Sequence, residues 1–259
     1  MDNPDLKSIQ TGDLLLFSNW SHSGLGVRLA TASSWNHIGI AVWIRSKKTF
    51  ELLPGHDTTL MLPIGQIKDD PVDLYVFETN NNSVYDPLTS RISDGSRLVA
   101  LSTLLGKYTH IAWRPLRLIR DMDYFAALWG FIEEYSGQPY HKNKIRMILS
   151  ALEVHLDRVD PPGGDIFCSQ LVARYLQRFG LLRADVPAYT FLPRHYAAAD
   201  KSEKVPADIF LSEEIVIYSK PNLEWYWLGV LAVALLVTWI SIVIYSRWLS
   251  HQQTRNLVV

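Results

Sequence analysis

The chain carries one cysteine, Cys168, in the run IFCSQLVARYL. Apolar residues at Leu171, Val172, Tyr175, Leu176 and Phe179 follow it at helical spacing, and Gly180 suits the position just past a helix end. With Asp165 as N-cap, Cys168 falls at N3, inside the first turn. Unpaired N–H groups and the positive end of the helix dipole favour a thiolate there. The Cys168 N–H is also available to a developing oxyanion. The competing reading is a small buried hydrophobe, a common fate for a free cysteine.

A nucleophilic thiol needs a base. Of the eight histidines, His37 stands apart because it opens the apolar, β-rich run HIGIAVWI. Burying an unpaired imidazole costs on the order of a few kcal/mol, so a ring placed there needs a partner or a task. His22, His56 and His141 fall in polar stretches, and His110, His155 and His195 do not differ from surface histidines. His251 lies beyond a long apolar run near the C-terminus. A Cys–His pair is usually oriented by a third polar group. Two acids qualify. Glu78 ends the strand-like LYVFE, and Glu51, in TFELL, lies nearer in sequence and suits the same task if residues 50–53 form the neighbouring strand.

The elements that must hold these residues change character along the chain. Strands are expected at residues 13–17, 37–44, 50–53 and 74–77, with a long polar loop over NNNSVYDPLTSRISDGS and further strands at RLVAL and HIAWRPL. The period then becomes helical. One helix is expected between Asp121 or Asp123 as cap and Gly137 as stop, one over NKIRMILSALEVHL, and then the Cys168 helix. EEIVIYS is a last strand. Strands first and helices second indicate an α+β domain over residues 1–219. Residues 220–224 read as a linker. Residues 225–245 carry no charge in 21 residues, and aromatics flank them at Trp225, Tyr226, Trp227, Tyr245 and Trp248. That pattern is expected of a membrane-spanning helix with interfacial belts. Residues 246–259 are then a short tail.

The whole composition narrows the function classes. At 259 residues, 48% hydrophobic content and net charge −1, the chain can bury a core and has no basic stripe for nucleic acid. One cysteine excludes an intramolecular disulfide framework and a multi-cysteine zinc site. The N-terminal MDNPDLKSIQ lacks the basic and apolar regions of a signal peptide. The chain is therefore expected to be a single-pass membrane protein with a C-terminal anchor and its catalytic domain on the cytosolic side. Arg247 and Arg255 in the tail pull against that orientation.

In order, TGDLLLF, TASSWNHIGI, VFET with SRLVALSTLL, IAWRPL, FCSQLVARYL and PADIFLS resemble the circularly permuted papain-like hydrolases. Within them they are similar to the YiiX/YebB-like branch of the permuted NlpC/P60 superfamily. The resemblance spans roughly residues 10–218. It implies a permuted papain-like fold with an antiparallel sheet and packed helices, Cys168 as nucleophile, His37 as base and Glu78 as orienting acid. Gly12 and Asp13 match the family's opening turn. Gln170 departs from a position where the family commonly has Glu, and the long stretch between His37 and Glu78 keeps Glu51 in play. The activity implied is amide, ester or thioester cleavage through an acyl-enzyme, with no metal or cofactor. Expected partners are an acyl, lipid or peptide substrate and the membrane. A peptidase or isopeptidase of the same fold, and an inactive membrane-anchored scaffold, are the competing functions.

Overall fold

A computed structural model of the chain describes residues 4–19, 33–45, 51–53, 72–140, 166–200, 202–220, 235–239 and 241. The chain divides into two compact units, Met1–Ser219 and Lys220–Val259. The first unit is built on one antiparallel sheet. Its strands are β1 (Leu14–Ser18), β2 (His37–Arg45), β3 (Glu51–Leu53), β4 (Val72–Asp86), β5 (Arg91–Ala100), β6 (His110–Arg114) and β7 (Ile215–Ser219). Their order is β5-β4-β2-β1-β6-β7, with β3 also paired to β2. The described helices of this unit are α1 (Pro4–Ser8), α2 (Leu101–Leu105), α3 (Met122–Tyr135) and α4 (Cys168–Arg178).

The central strands read as unbroken apolar runs because both faces of the sheet are covered. Leu14, Leu16, Ile38, Ile40 and Val42 pack in a cluster with α3 and α4. Leu15, Phe17, Ala41, Trp43 and Val76 pack in a second cluster with Ile9, Leu101, Leu104 and Ile217. Successive side chains of a strand point to opposite faces, so each strand supplies both layers.

The Gly12–Asp13 turn ties the sheet to the helices. Buried Asp13 accepts hydrogen bonds through Oδ1 from the Leu116 N–H at 2.9 Å and the Arg120 guanidinium at 2.6 Å. Its Oδ2 accepts from the Gln10 N–H at 2.9 Å and the Trp113 indole at 2.7 Å. Gly12 sits at φ +96°, and a Cβ there would lie 1.8 Å from the Tyr124 hydroxyl. Tyr175 donates to the Gly12 carbonyl at 2.8 Å, which pins α4 to the start of β1. The family-like opening turn is thus a structural joint between β1, α3 and α4.

Three expectations need correction. First, NNNSVYDPLTSRISDGS is no loop. β4 continues through it to Asp86, turns, and returns as β5, so that Glu78 lies within a strand and not at its end. Backbone pairing carries this arm although its side chains are polar and mostly exposed. Second, the fold is dominated by its sheet, with few helices among the described residues. The two expected strands β6 and β7 pair with each other and extend the same sheet from β1. The helix expected over NKIRMILSALEVHL lies outside the described residues. Third, among the described residues no helix is long and apolar enough to cross a membrane. An uncharged run spans a bilayer only as a continuous helix of about 20 residues. Within 225–245 the described residues are 235–239 and 241, helical and exposed, and the others lie outside the description. The C-terminal anchor, the transmembrane class and the membrane localisation drawn from it are corrected accordingly.

Candidate active site

His37 opens β2 beside Phe17, its register partner on β1. The ring is 6% exposed, stacks on Tyr108 with centroids 5.6 Å apart and 7° between planes, and meets Phe17 at 5.5 Å. Two aromatic walls therefore limit its rotation. Its Nε2 lies 2.5 Å from Glu78 Oε2. Glu78 reaches it because β4 is the neighbour of β2, and Gly39 lets the strands close. A Cβ on Gly39 would come within 2.4 Å of Val76 Cγ1 and 3.4 Å of Glu78 Cβ.

Cys168 is the first residue of α4, with Phe167 as N-cap. The expected N3 placement is thereby corrected to N1, and Asp165 lies outside the described residues. Cys168 is 8% exposed and lies close enough to the His37 ring to help raise its affinity for a proton. Because Glu78 occupies Nε2, Nδ1 is the nitrogen left for the sulfur. Local contacts fix the helix start. Gln170 Oε1 accepts from the Phe167 N–H at 3.4 Å, and Thr79 Oγ1 donates to the Ile166 carbonyl at 3.5 Å. The Tyr196 hydroxyl donates to the Ser169 carbonyl at 2.9 Å. Gln170 thus serves the helix cap.

Burial alone would lower the affinity of His37 for a proton. The facing Glu78 carboxylate and Cys168 outweigh it and raise the ring pKa from 6.5 to about 10. Burial would raise the Glu78 carboxyl, yet His37 and then Arg97 hold it below its ordinary value. At neutral pH this arrangement is an imidazolium donating from Nε2 to a carboxylate. The sequence-selected Cys168, His37 and Glu78 are therefore brought together in one buried cluster.

Glu51 is not part of it. It pairs with Arg45 at the far end of β2, eight residues from His37, or roughly 26 Å at about 3.3 Å per residue. Among the other histidines, buried His195 accepts from the Leu192 N–H through Nδ1 at 3.0 Å, a structural bond. His110 opens β6, with Nδ1 3.1 Å from Thr109 Oγ1. His22, His56, His141, His155 and His251 lie outside the described residues.

Sequence reasoning missed the surround of the triad. Arg97, opposite Glu78 on β5, donates to Glu78 Oε1 at 3.1 Å with its guanidinium wholly buried. Tyr108 accepts from Asn80 Nδ2 at 3.2 Å. Tyr140 precedes the Cys168 segment in space. Its backbone bridges Ile166 in parallel, and its ring meets Phe167 edge-on at 6.1 Å. The loop before Tyr140 is held to β5, since the Ser96 N–H donates to the Gln138 carbonyl and the Gly137 N–H to the Ser96 carbonyl, both at 2.8 Å. Burial, followed by the Cys168 charge, raises the Tyr140 hydroxyl and keeps it a proton donor. The usable signal for these residues was aromatic composition around the strand ends, which does not distinguish a site from a core. Among the described residues no group of three or more His, Cys, Asp or Glu side chains is arranged to hold a metal ion.

No protein-family model and no curated protein matches the chain. Among solved structures, the metalloprotein yiiX from Escherichia coli O157:H7 is a distant structural neighbour. The match is 15% identical, covers 82% of this chain and 89% of that one, and has a TM-score of 0.39. Backbones that diverge this far carry neither a fold nor an activity from one protein to the other. The resemblance to the permuted NlpC/P60 hydrolases rests on the ordered motifs of the sequence.

Proposed function

We propose that the chain is a cysteine hydrolase or acyltransferase that cleaves an amide, ester or thioester through Cys168, His37 and Glu78. The observation that carries this reading is the buried His37–Glu78 hydrogen bond at 2.5 Å, with Cys168, at a helix start, acting on the same ring. A structural cysteine has no use for an oriented and charged imidazole. The ordered motifs shared with the YiiX/YebB-like hydrolases support the same reading.

Cys168 and His37 rest as a thiolate–imidazolium pair. The sulfur attacks the substrate carbonyl and the C=O electrons move to oxygen. The Cys168 N–H, unpaired at N1, and the Tyr140 hydroxyl stabilise that oxyanion. His37 then gives its proton to the leaving nitrogen, oxygen or sulfur as the C–X bond breaks, and a thioester remains on Cys168. Water or another acceptor, deprotonated by the now neutral ring, attacks the thioester and frees the acyl group. Glu78 fixes the tautomer throughout. The argument for lipid substrates rested on a membrane anchor and falls with it.

The single cysteine makes the test direct. The protein is mixed with p-nitrophenyl butyrate, quenched in acid and weighed by intact-mass spectrometry. One butyryl adduct is expected, absent in Cys168→Ala and strongly slowed in His37→Ala. A wild-type protein that forms no adduct, and whose thiol reacts with iodoacetamide no faster than free cysteine, refutes the reading.

A further inference from the structure

We propose that Arg97 is a positioning residue for this reaction, the permanent counter-charge that keeps Glu78 ionised and aimed at His37 while the ring gains and loses its proton. The inference rests on the Cys168–His37–Glu78 reading. Arg97 is 0% exposed and stands directly opposite Glu78 in the β4–β5 ladder. Its Nη2 donates to Glu78 Oε1 at 3.1 Å, while His37 takes Oε2. The carboxylate is thus gripped on both oxygens by donors from two different strands.

The competing role is a brace for the hairpin. Arg97 Nη1 donates to the Ser93 carbonyl at 2.8 Å and the Asn80 carbonyl at 3.4 Å, across the irregularity between Asn80 and Val84. Bracing two carbonyls requires a donor but no charge, and burying a full charge for that purpose is a poor solution. Arg97 Nε, moreover, has no partner, so the guanidinium is not placed to satisfy the backbone fully.

The chemistry supplies the need for a charge. Among the described residues, the titratable and charged groups around Glu78 are His37 from β2, Arg97 from β5 and Tyr108 after α2, with Cys168 of α4 acting through the ring. Tyr108 is uncharged, its hydroxyl raised by burial and then by Glu78. When His37 hands its proton to the leaving group, it stops compensating Glu78. A buried carboxylate left alone would then take a proton itself and lose its hold on the ring. Guanidinium does not deprotonate in proteins, so Arg97 holds Glu78 ionised through that half of the cycle.

The test is the pH profile of kcat/KM for p-nitrophenyl butyrate in full-length wild type, Arg97→Gln and Arg97→Lys. An opposite charge nearby lowers a carboxyl by about 1–3 pH units, so the acid limb of Arg97→Gln should move up by about that much. Arg97→Lys keeps the charge but not the forked contacts to Ser93 and Asn80, and its acid limb should return to the wild-type position. A folded Arg97→Gln with a wild-type acid limb overturns the inference, as does an equal displacement in both variants. If Arg97→Gln does not fold, Arg97→Lys decides. A wild-type limb supports the role of charge, and a displacement of a full unit overturns it. The wild type separates the two levels. An Arg97 failure leaves Cys168 reactive towards the ester and iodoacetamide, whereas a wild type inert to both removes the parent reading and this inference with it.

Discussion

Glu78→Gln removes one charge at almost constant shape and should be severe. Both neighbours of the Glu78 carboxylate are donors: His37 Nε2 at 2.5 Å and Arg97 Nη2 at 3.1 Å. A glutamine offers one acceptor and two donors, so one neighbour must face an NH2 group. If that neighbour is His37, Nε2 must become the acceptor and the proton moves to Nδ1, the nitrogen needed to receive the Cys168 proton. If it is Arg97, a buried cation loses its partner, a change that typically costs about 3–5 kcal/mol. The ring gives an independent figure. A histidine raised from 6.5 to about 10 contributes roughly 5 kcal/mol of stability, complete below about pH 6.5 and lost as pH climbs through 10. Glu78 is held low, so its contribution is present above the ordinary carboxyl value and lost as pH falls through the depressed one. Urea unfolding of wild type and Glu78→Gln at pH 5 to 10.5 reads both. The difference should be largest, about 3–5 kcal/mol, near pH 6, and shrink above pH 10 as His37 becomes neutral in the wild type. Equal midpoints and slopes across that range would refute the buried ion pair and the oriented ring with it.

Two further changes probe the site from its edges. Gly39→Ala would push a Cβ to 2.4 Å from Val76 Cγ1, so β2 and β4 must separate near His37 and Glu78. A loss of about 1–3 kcal/mol in a thermal or urea melt is expected, with slower acylation of Cys168. Tyr140→Phe removes only the hydroxyl proposed for the oxyanion site. Turnover of p-nitrophenyl butyrate should fall roughly 100- to 1,000-fold while the melt and the iodoacetamide rate stay at wild-type values, and an unaltered kcat would remove Tyr140 from the oxyanion site.

What could be read in the sequence follows from how each part is stabilised. β1 and β2 are buried on both faces, so their composition announced them. The Asp121 cap was legible because capping is local chemistry, and its carboxylate accepts from the Tyr124 N–H at 2.8 Å. The β4–β5 arm was missed because its exposed residues are polar and its stability lies in backbone pairing. Arg97 was missed for a sharper reason. Asp86 pairs with Arg91 across the turn, and counting back along an unbroken ladder would set Glu78 opposite Val99. The irregularity between Asn80 and Val84 instead brings Arg97 opposite Glu78. No local pattern discloses that displacement. Likewise, Glu51 and Glu78 could be separated only by strand order, which puts β3 at the far end of β2.

The buried cluster also explains how a sheet face tolerates so much charge. With thiol and ring both neutral, the cluster would hold one carboxylate and one guanidinium. In the resting pair of the proposed mechanism, a thiolate and an imidazolium are added. The sum is zero in both states, so the transfer moves charge within the cluster and creates no uncompensated ion in the core. Without Arg97, the cluster of thiol, ring and Glu78 would carry a net negative charge in both states, just where the sulfur must become an anion. Without Glu78 it would carry a net positive charge that opposes the imidazolium. Placing the acid and the guanidinium opposite each other on β4 and β5 and the base on β2 lets the rigid sheet hold the balance, while the nucleophile alone comes from a helix.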